Sequence, residues 1–339
     1  MKKNNIKKKL AYSIITLFLL CNISSLAYGT NESSKSHIMP LYLQDHVHVN
    51  DDYPEENETY FKTIQGGVNA VNSSETVGTV YVCSGSYNES VIIKKPMRII
   101  GCPEDGYGND PYPPSVSDPS VAFIILGNNA KGTTISHFNI TGGAVAGILV
   151  LASRSINISY NNIFLNKKGI YLMSSHSCNI THNNVINNTH QGIVLDGSNQ
   201  CNILGNWVVD NDANGLDDID GSGIDLYDSN FAFISGNNMS NNGNYSIWVG
   251  GSKKLNQIHS NNIWDNETTF KSFKHRRWVD SKNEWRFNYW SDDKFEPGYF
   301  YRVRGFLVFG FGSVIPGFWF FQLDTASMKD PYPYEQNEI

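Results

Sequence analysis

The chain has 339 residues, of which 17% are charged, and a formal net charge of −6 at pH 7. That balance argues against a general nucleic-acid binder, which needs a basic face to neutralise phosphates. The chain is also too long for a small disulfide scaffold and long enough for one solenoid.

The first residues read as an export signal. Lys2, Lys3, Lys7, Lys8 and Lys9 precede an apolar run from Leu10 to Leu20, and the small residues Ala27 and Gly29 set a cleavage site after Gly29. Residues 1–29 are therefore expected to be a signal peptide, and the mature chain to be extracellular, periplasmic or on the cell surface. Leu20 stands where a lipoprotein signal has a small residue before its Cys, so lipid on Cys21 is not expected. An uncleaved anchor is the alternative. Residues 30–58, polar and without periodicity, read as a spacer.

Residues 59–128 read as an N-terminal cap and first coils. The apolar pattern Ile64, Val68, Val71 suits a short helix capped at Thr63, and it is followed by strands at Thr79–Val82 and Val91–Ile93. A solenoid needs such a cover, because its end coil presents unpaired strand edges. After a loop at Pro103–Pro119, Val121–Leu126 resumes a buried strand, and Ile135 and Asn139 match Ile158 and Asn162 of the next coil.

From 129 to 266 one phrase recurs: Gly147-Ile-Leu-Val, Gly169-Ile-Tyr-Leu, Gly192-Ile-Val-Leu, Gly223-Ile-Asp-Leu and Ser246-Ile-Trp-Val, at intervals of 22, 23, 31 and 23 residues. A second keeps step, with Ile158, Ile180, Ile203, Ile234 and Ile258 each followed three residues later by Asn161, Asn183, Asn206, Asn237 and Asn261. The short alternating runs are strands too short to bury anything alone, so coils of three strands stacked at ~4.8 Å are expected. The fold class is then all-β, a right-handed parallel β-helix. The Ile residues form interior columns, the Asn residues an amide ladder, and the recurring Gly a corner of positive φ. Phe138, just before Asn139, is placed to stopper the amide column. Residues 267–339 read as an irregular, aromatic-rich C-terminal cap.

Ile64-Gln65 with Ala70-Val71, then Thr79-Val80-Tyr81-Val82, Ser84-Gly85-Ser86-Tyr87-Asn88-Glu89 and Arg98-Ile99-Ile100-Gly101, resemble the opening of the NosD-type periplasmic β-helix proteins. Asn288-Tyr289-Trp290-Ser291-Asp292 resembles that family's closing phrase, and Asp330-Pro331-Tyr332 the tail of exported relatives from archaea. The resemblance implies a role in maturing the copper centre of an exported metalloenzyme. Copper needs His, Met or Cys to converge, whereas His137 and His182 share a column with Tyr160 between them, two coils or ~9.6 Å apart. No copper site is therefore expected from them.

Alternation places Leu149, Tyr171, Val194, Asp225 and Trp248 on the outer side of the phrase. Tyr171, Asp225 and Trp248 are the candidate ligand-binding residues, since aromatic rings stack on the apolar faces of sugars. The longer coil adds Asp210, Asp212, Asp217, Asp218 and Asp220. Of these, Asp217, Asp218 and Asp220 with Asp225 are the candidate calcium ligands, calcium being the one cofactor the sequence suggests. Paired carboxylates there could also hydrolyse a glycan. A lyase base is harder to find, because Gly169–Ser252 contains no Lys or Arg. The expected function is carbohydrate or cell-envelope binding without catalysis, with membrane contact not required. A polysaccharide hydrolase or lyase and a NosD-like accessory factor are the alternatives.

Cys178 and Cys201 share an interior column with Ile156, and a disulfide between them is the first expectation in an exported protein. Cys83 and Cys102 form a second candidate pair near the cap. The uncharged run Gly305–Phe321 suggests strands over the last coil, a membrane span being the alternative.

Overall fold

The computed structural model describes residues 45–71, 77–102, 112–211, 222–243, 245–250 and 256–263, and beyond them the strands Glu284–Arg286, Tyr289–Trp290, Phe300–Val303 and Phe306–Phe309. Residues 1–29, expected to be a signal peptide, the acidic residues Asp212, Asp217, Asp218 and Asp220, and the tail lie outside these residues. No described helix is long and apolar enough to cross a membrane.

Three parallel sheets of eleven, nine and seven strands are wound so that successive strands pass from sheet to sheet and then stack on the preceding coil. This is a right-handed parallel β-helix. The registers match the sequence columns. Ile148, Ile170, Ile193, Ile224 and Ile247 are successive partners in the third sheet, and Ile135, Ile158, Ile180, Ile203, Ile234 and Ile258 in the first. All are buried in one continuous core.

From His137 onward the described corners with positive φ follow one rule. A residue of positive φ turns the chain, and the next residue points inward. Tyr160 (φ 56°) precedes Asn161, His182 (φ 55°) precedes Asn183 and Gly205 (φ 61°) precedes Asn206. Asn161 Nδ2 donates to Asn183 Oδ1 (3.1 Å), Asn183 to Asn206 (3.0 Å), Asn206 to Asn237 (3.0 Å) and Asn237 to Asn261 (2.9 Å). Each amide also bonds a carbonyl of the preceding coil, as Asn206 does Ile180 O at 2.9 Å. Buried polar backbone is thereby satisfied without water. Phe138 does end this column: its N–H donates to Asn161 Oδ1, and its ring packs on Phe123.

A second interior ladder, Asn166, Asn188, Asn211 and Asn242, follows the next corner. A hydroxyl column, Ser153, Ser175, Ser198 and Ser229, follows another, each backbone N–H donating to the next hydroxyl. At a fourth, Ser177 and Gln200 precede the buried Cys178 and Cys201, which are free thiols here. The hydrogen bond with Cys178, helped by burial, pushes the Cys201 thiol pKa up, and the same bond pulls that of Cys178 down.

The recurring glycines have a different reason from the expected one. Gly147, Gly169, Gly192 and Gly223 are not among the residues of positive φ. A Cβ on Gly169 would lie 2.5 Å from Val185 Cγ1 and 2.6 Å from the Gly192 carbonyl oxygen. Close packing of backbone on backbone excludes a side chain there, not the backbone conformation.

Helix α1 (Ile64–Ala70) is capped by Thr63, which accepts from Gly66 N, and by Glu89, which accepts from Ile64 N and Gln65 N at 2.7 and 2.9 Å. Burial raises the Glu89 pKa, and these two backbone bonds oppose the rise. Gln65 takes both backbone groups of Ile92, accepting at 2.7 Å and donating at 3.3 Å. Its amide thus continues the pairing at the first strand of the third sheet. At the other end Glu284–Arg286 and Tyr289–Trp290 add strands to the first and second sheets, while Phe300–Val303 and Phe306–Phe309 pair antiparallel.

Candidate functional site

On the outer side of the third sheet, Leu149, Tyr171, Val194, Asp225 and Trp248 are partners in register. They do not form the open ribbon expected: Tyr171 and Asp225 are each only 7% exposed, Leu149 is 1% exposed, and Trp248 is half-buried. Alternation decides which face a side chain takes; whether that face is covered depends on the rest of the chain.

The same face gathers residues outside the recurring phrase. Tyr171 Oη donates to Asp196 Oδ2 at 3.2 Å, and the Lys168 ammonium lies 5.6 Å from the centre of the Tyr171 ring. The Tyr227 and Trp248 rings stack at 6.2 Å and 5°. Lys168 adjoins the segment that lacks Lys and Arg, so the third sheet does carry a cation beside its carboxylates. Asp196 aligns with Tyr227 one step beyond the phrase, where the Ile and Leu columns give no signal.

Burial raises the Asp196 pKa, helped by Asp228; the Tyr171 hydrogen bond and Lys168 work against it. A raised folded-state pKa contributes stability that is present below the unfolded value and lost as pH rises through the folded one. Asp196→Asn keeps an acceptor for Tyr171 and removes the buried charge. Its melting temperature should therefore exceed the parent's at pH 7, with the difference shrinking as pH falls towards the ordinary aspartate value of 3.8. A gain independent of pH would contradict this reading.

The second sheet has an open outer face. Asn139, Asn162, Asn184, Trp207, Asn238 and Asn262 are partners in register. Asn162 donates to Asn139 Oδ1 and Asn184 to Asn162 Oδ1, both at 2.8 Å, and Asn262 to Asn238 at 2.9 Å. Trp207, 40% exposed, stands where the ladder would otherwise continue. Asn139, Asn162 and Asn184, with Phe164, Ile186 and Asn187, line a groove of about 290 Å³ containing no charged residue. A side-chain amide has two donors and two acceptor lone pairs. The bonds along the ladder use one of each at Asn162, leaving the others for a ligand. The spacing of this column, one residue after the interior Asn, carried the signal in the sequence.

At the neighbouring corner His137, Tyr160 and His182 stack with ring centres 5.3 and 5.1 Å apart and planes within 14°. Tyr160, 54% exposed, fills the space between the two imidazoles.

The family model described as Periplasmic copper-binding protein (NosD) matches residues 114–299, more than half of the chain. Among curated proteins no sequence matches. Solved structures similar to this one include the Dettilon tailspike protein (15% identity, 73% of this chain and 50% of that one, TM-score 0.49) and pectate lyase Pel9A (12%, 73% and 76%, 0.49). The pectin methylesterase from Aspergillus niger is another (11%, 77% and 88%, 0.45). The chain thus spans half the length of the tailspike. Scores of this size say nothing about ligand or activity.

The family description implies copper. Among the described residues no group of three or more His, Cys, Asp and Glu could hold a metal ion. His137 and His182 are kept apart by the Tyr160 ring. The two histidines of this column therefore do not share one copper ion.

Proposed function

The chain belongs to the family described as periplasmic copper-binding protein (NosD), and from that premise we propose that it is an exported β-helix that binds carbohydrate without cleaving it. The observation that carries this reading is the open groove on the second sheet. An uncharged amide ladder at coil spacing runs beside Phe164 and Ile186 and into the exposed Trp207. Sugars ask for that combination: amides meet hydroxyl edges, and rings meet the apolar faces. Tyr171, Asp225 and Trp248 remain a second, covered candidate face, and calcium at Asp217, Asp218, Asp220 and Asp225 remains a proposal.

A glycan array identifies the ligand, and titration calorimetry on variants tests the groove. Trp207→Ala and Phe164→Ala should each weaken binding about tenfold, ~1.4 kcal/mol, while Tyr171→Ala should leave it unchanged. Equal loss from Tyr171→Ala and none from Trp207→Ala would move the site to the third sheet.

Cleavage is the second reading, favoured by Lys168, Tyr171, Asp196 and Asp225 on one face. New reducing ends released from an array hit, and abolished by Asp196→Asn, would establish it. An accessory role in maturing an exported metalloenzyme would show as co-purification with that enzyme.

A further inference from the structure

Cys83 follows the strand Gly78–Val82, and Cys102 follows Met97–Gly101. These strands are parallel neighbours in register from Gly78↔Met97 to Val82↔Gly101, so the cysteines are the next step of one ladder, with Cys102 N donating to Val82 O at 2.8 Å. Their sulfurs lie 3.3 Å apart. The backbone already holds the two Cα atoms at the spacing of adjacent strands, which is within disulfide range.

We propose that Cys83 and Cys102 are a disulfide-forming site, and that the bond closes one complete coil into a covalent ring at the helix-capped end. The chain between them supplies Ser86–Asn88 to the second sheet and Val91–Ile93 to the third before returning to the first, so the loop is one full turn. That turn packs against α1, whose Gln65 bonds Ile92 and whose last carbonyls bond Lys95 Nζ. The oxidant is a disulfide of the export compartment, protein or small molecule. The Cys102 thiolate, partly exposed, attacks one sulfur of that disulfide and releases one thiol. The Cys83 sulfur, 1% exposed and behind it, then displaces the second thiol and loses its proton. Two thiols are oxidised and one disulfide is reduced to two thiols, so the exchange balances.

The geometry also separates this pair from the one the repeat suggests. Cys178 and Cys201 stack inside the core, 0% exposed, where no oxidant reaches a sulfur.

The test is the full chain produced with its export signal, unfolded in denaturant with an alkylating agent and no reductant, then digested for mass spectrometry. Peptides joined through Cys83 and Cys102 are expected, with alkylated Cys178 and Cys201. Alkylation of both Cys83 and Cys102, or a Cys178–Cys201 link, overturns the proposal. Thermal melts supply an independent readout. Reductant should lower the melting temperature of the parent by several degrees and leave the Cys83→Ser/Cys102→Ser variant unmoved; equal response in both would also overturn it.

Discussion

Leucine in place of Asn206 should remove roughly 3–5 kcal/mol of stability, by the cost of orphaning buried polar groups. Asn206 Nδ2 donates to Ile180 O, Leu204 O and Asn237 Oδ1, and its Oδ1 accepts from both Asn183 N and Asn183 Nδ2. Leucine has the same branching and number of side-chain heavy atoms, is somewhat larger, and makes none of these bonds. The Asn183 N–H, in a residue with no exposed surface, is left without a partner, and the stacked amide loses one of its three acceptors. Domains are stable by only ~5–15 kcal/mol, so this variant should unfold at far lower urea. Asn202→Leu is the control. Asn202 is half-buried on the outer side and makes a single ladder bond to Asn179, so its loss should cost about 1 kcal/mol or less. Equal urea midpoints for the two variants would show that the interior ladder contributes little.

Gly192→Ala should cost at least ~3 kcal/mol, at or above the usual range for overpacking. The added methyl would lie 2.6 Å from the Gly223 carbonyl oxygen and 2.9 Å from Val208 Cγ1. The oxygen cannot retreat, because the coils on both sides are fixed by ladder bonds such as Gly192 N to Ser222 O and Ile170 N to Gly192 O. Gly197→Ala separates the two reasons for a glycine. Gly197 has φ 61° and nothing closer than 3.7 Å to its Cβ position, so alanine there should cost only ~1–2 kcal/mol of left-handed strain. Circular-dichroism melts read both. If Gly197→Ala were the worse, conformation rather than contact would govern these positions.

The interior was legible in the sequence because a solenoid repeats its core at fixed intervals. Ile170 over Ile193 and Asn183 over Asn206 are visible as columns before any coordinates are known. Contacts set across coils were harder to read. Nothing in the phrase Gly-Ile-x-Leu tells a glycine needed for clearance from one needed for a turn, and the positive φ angles fall on His137, Tyr160 and His182 instead. Exposure was illegible for a related reason: Tyr171 and Asp225 take the outer side, as alternation requires, yet that side is covered. Asp196 and Lys168 escaped notice because they flank the repeated phrase. The acidic residues Asp217, Asp218 and Asp220 lie outside the described residues.

Along the described coils from Ser153 to Asn261, each hands the next the same set of sockets. The amide of Asn188 offers Asn211 what Asn166 offers Asn188, and the serine hydroxyls repeat the pattern along another edge. A segment of 22 or 23 residues copied in tandem would therefore find matching neighbours above and below, and a deleted one would leave ends that fit. Ile193 and Ile224 are partners although 31 residues separate them, so a coil can differ in length and still return to the same register. Descendants of such a gene can change length in whole turns while keeping their interior, which leaves the outer surface free to diverge.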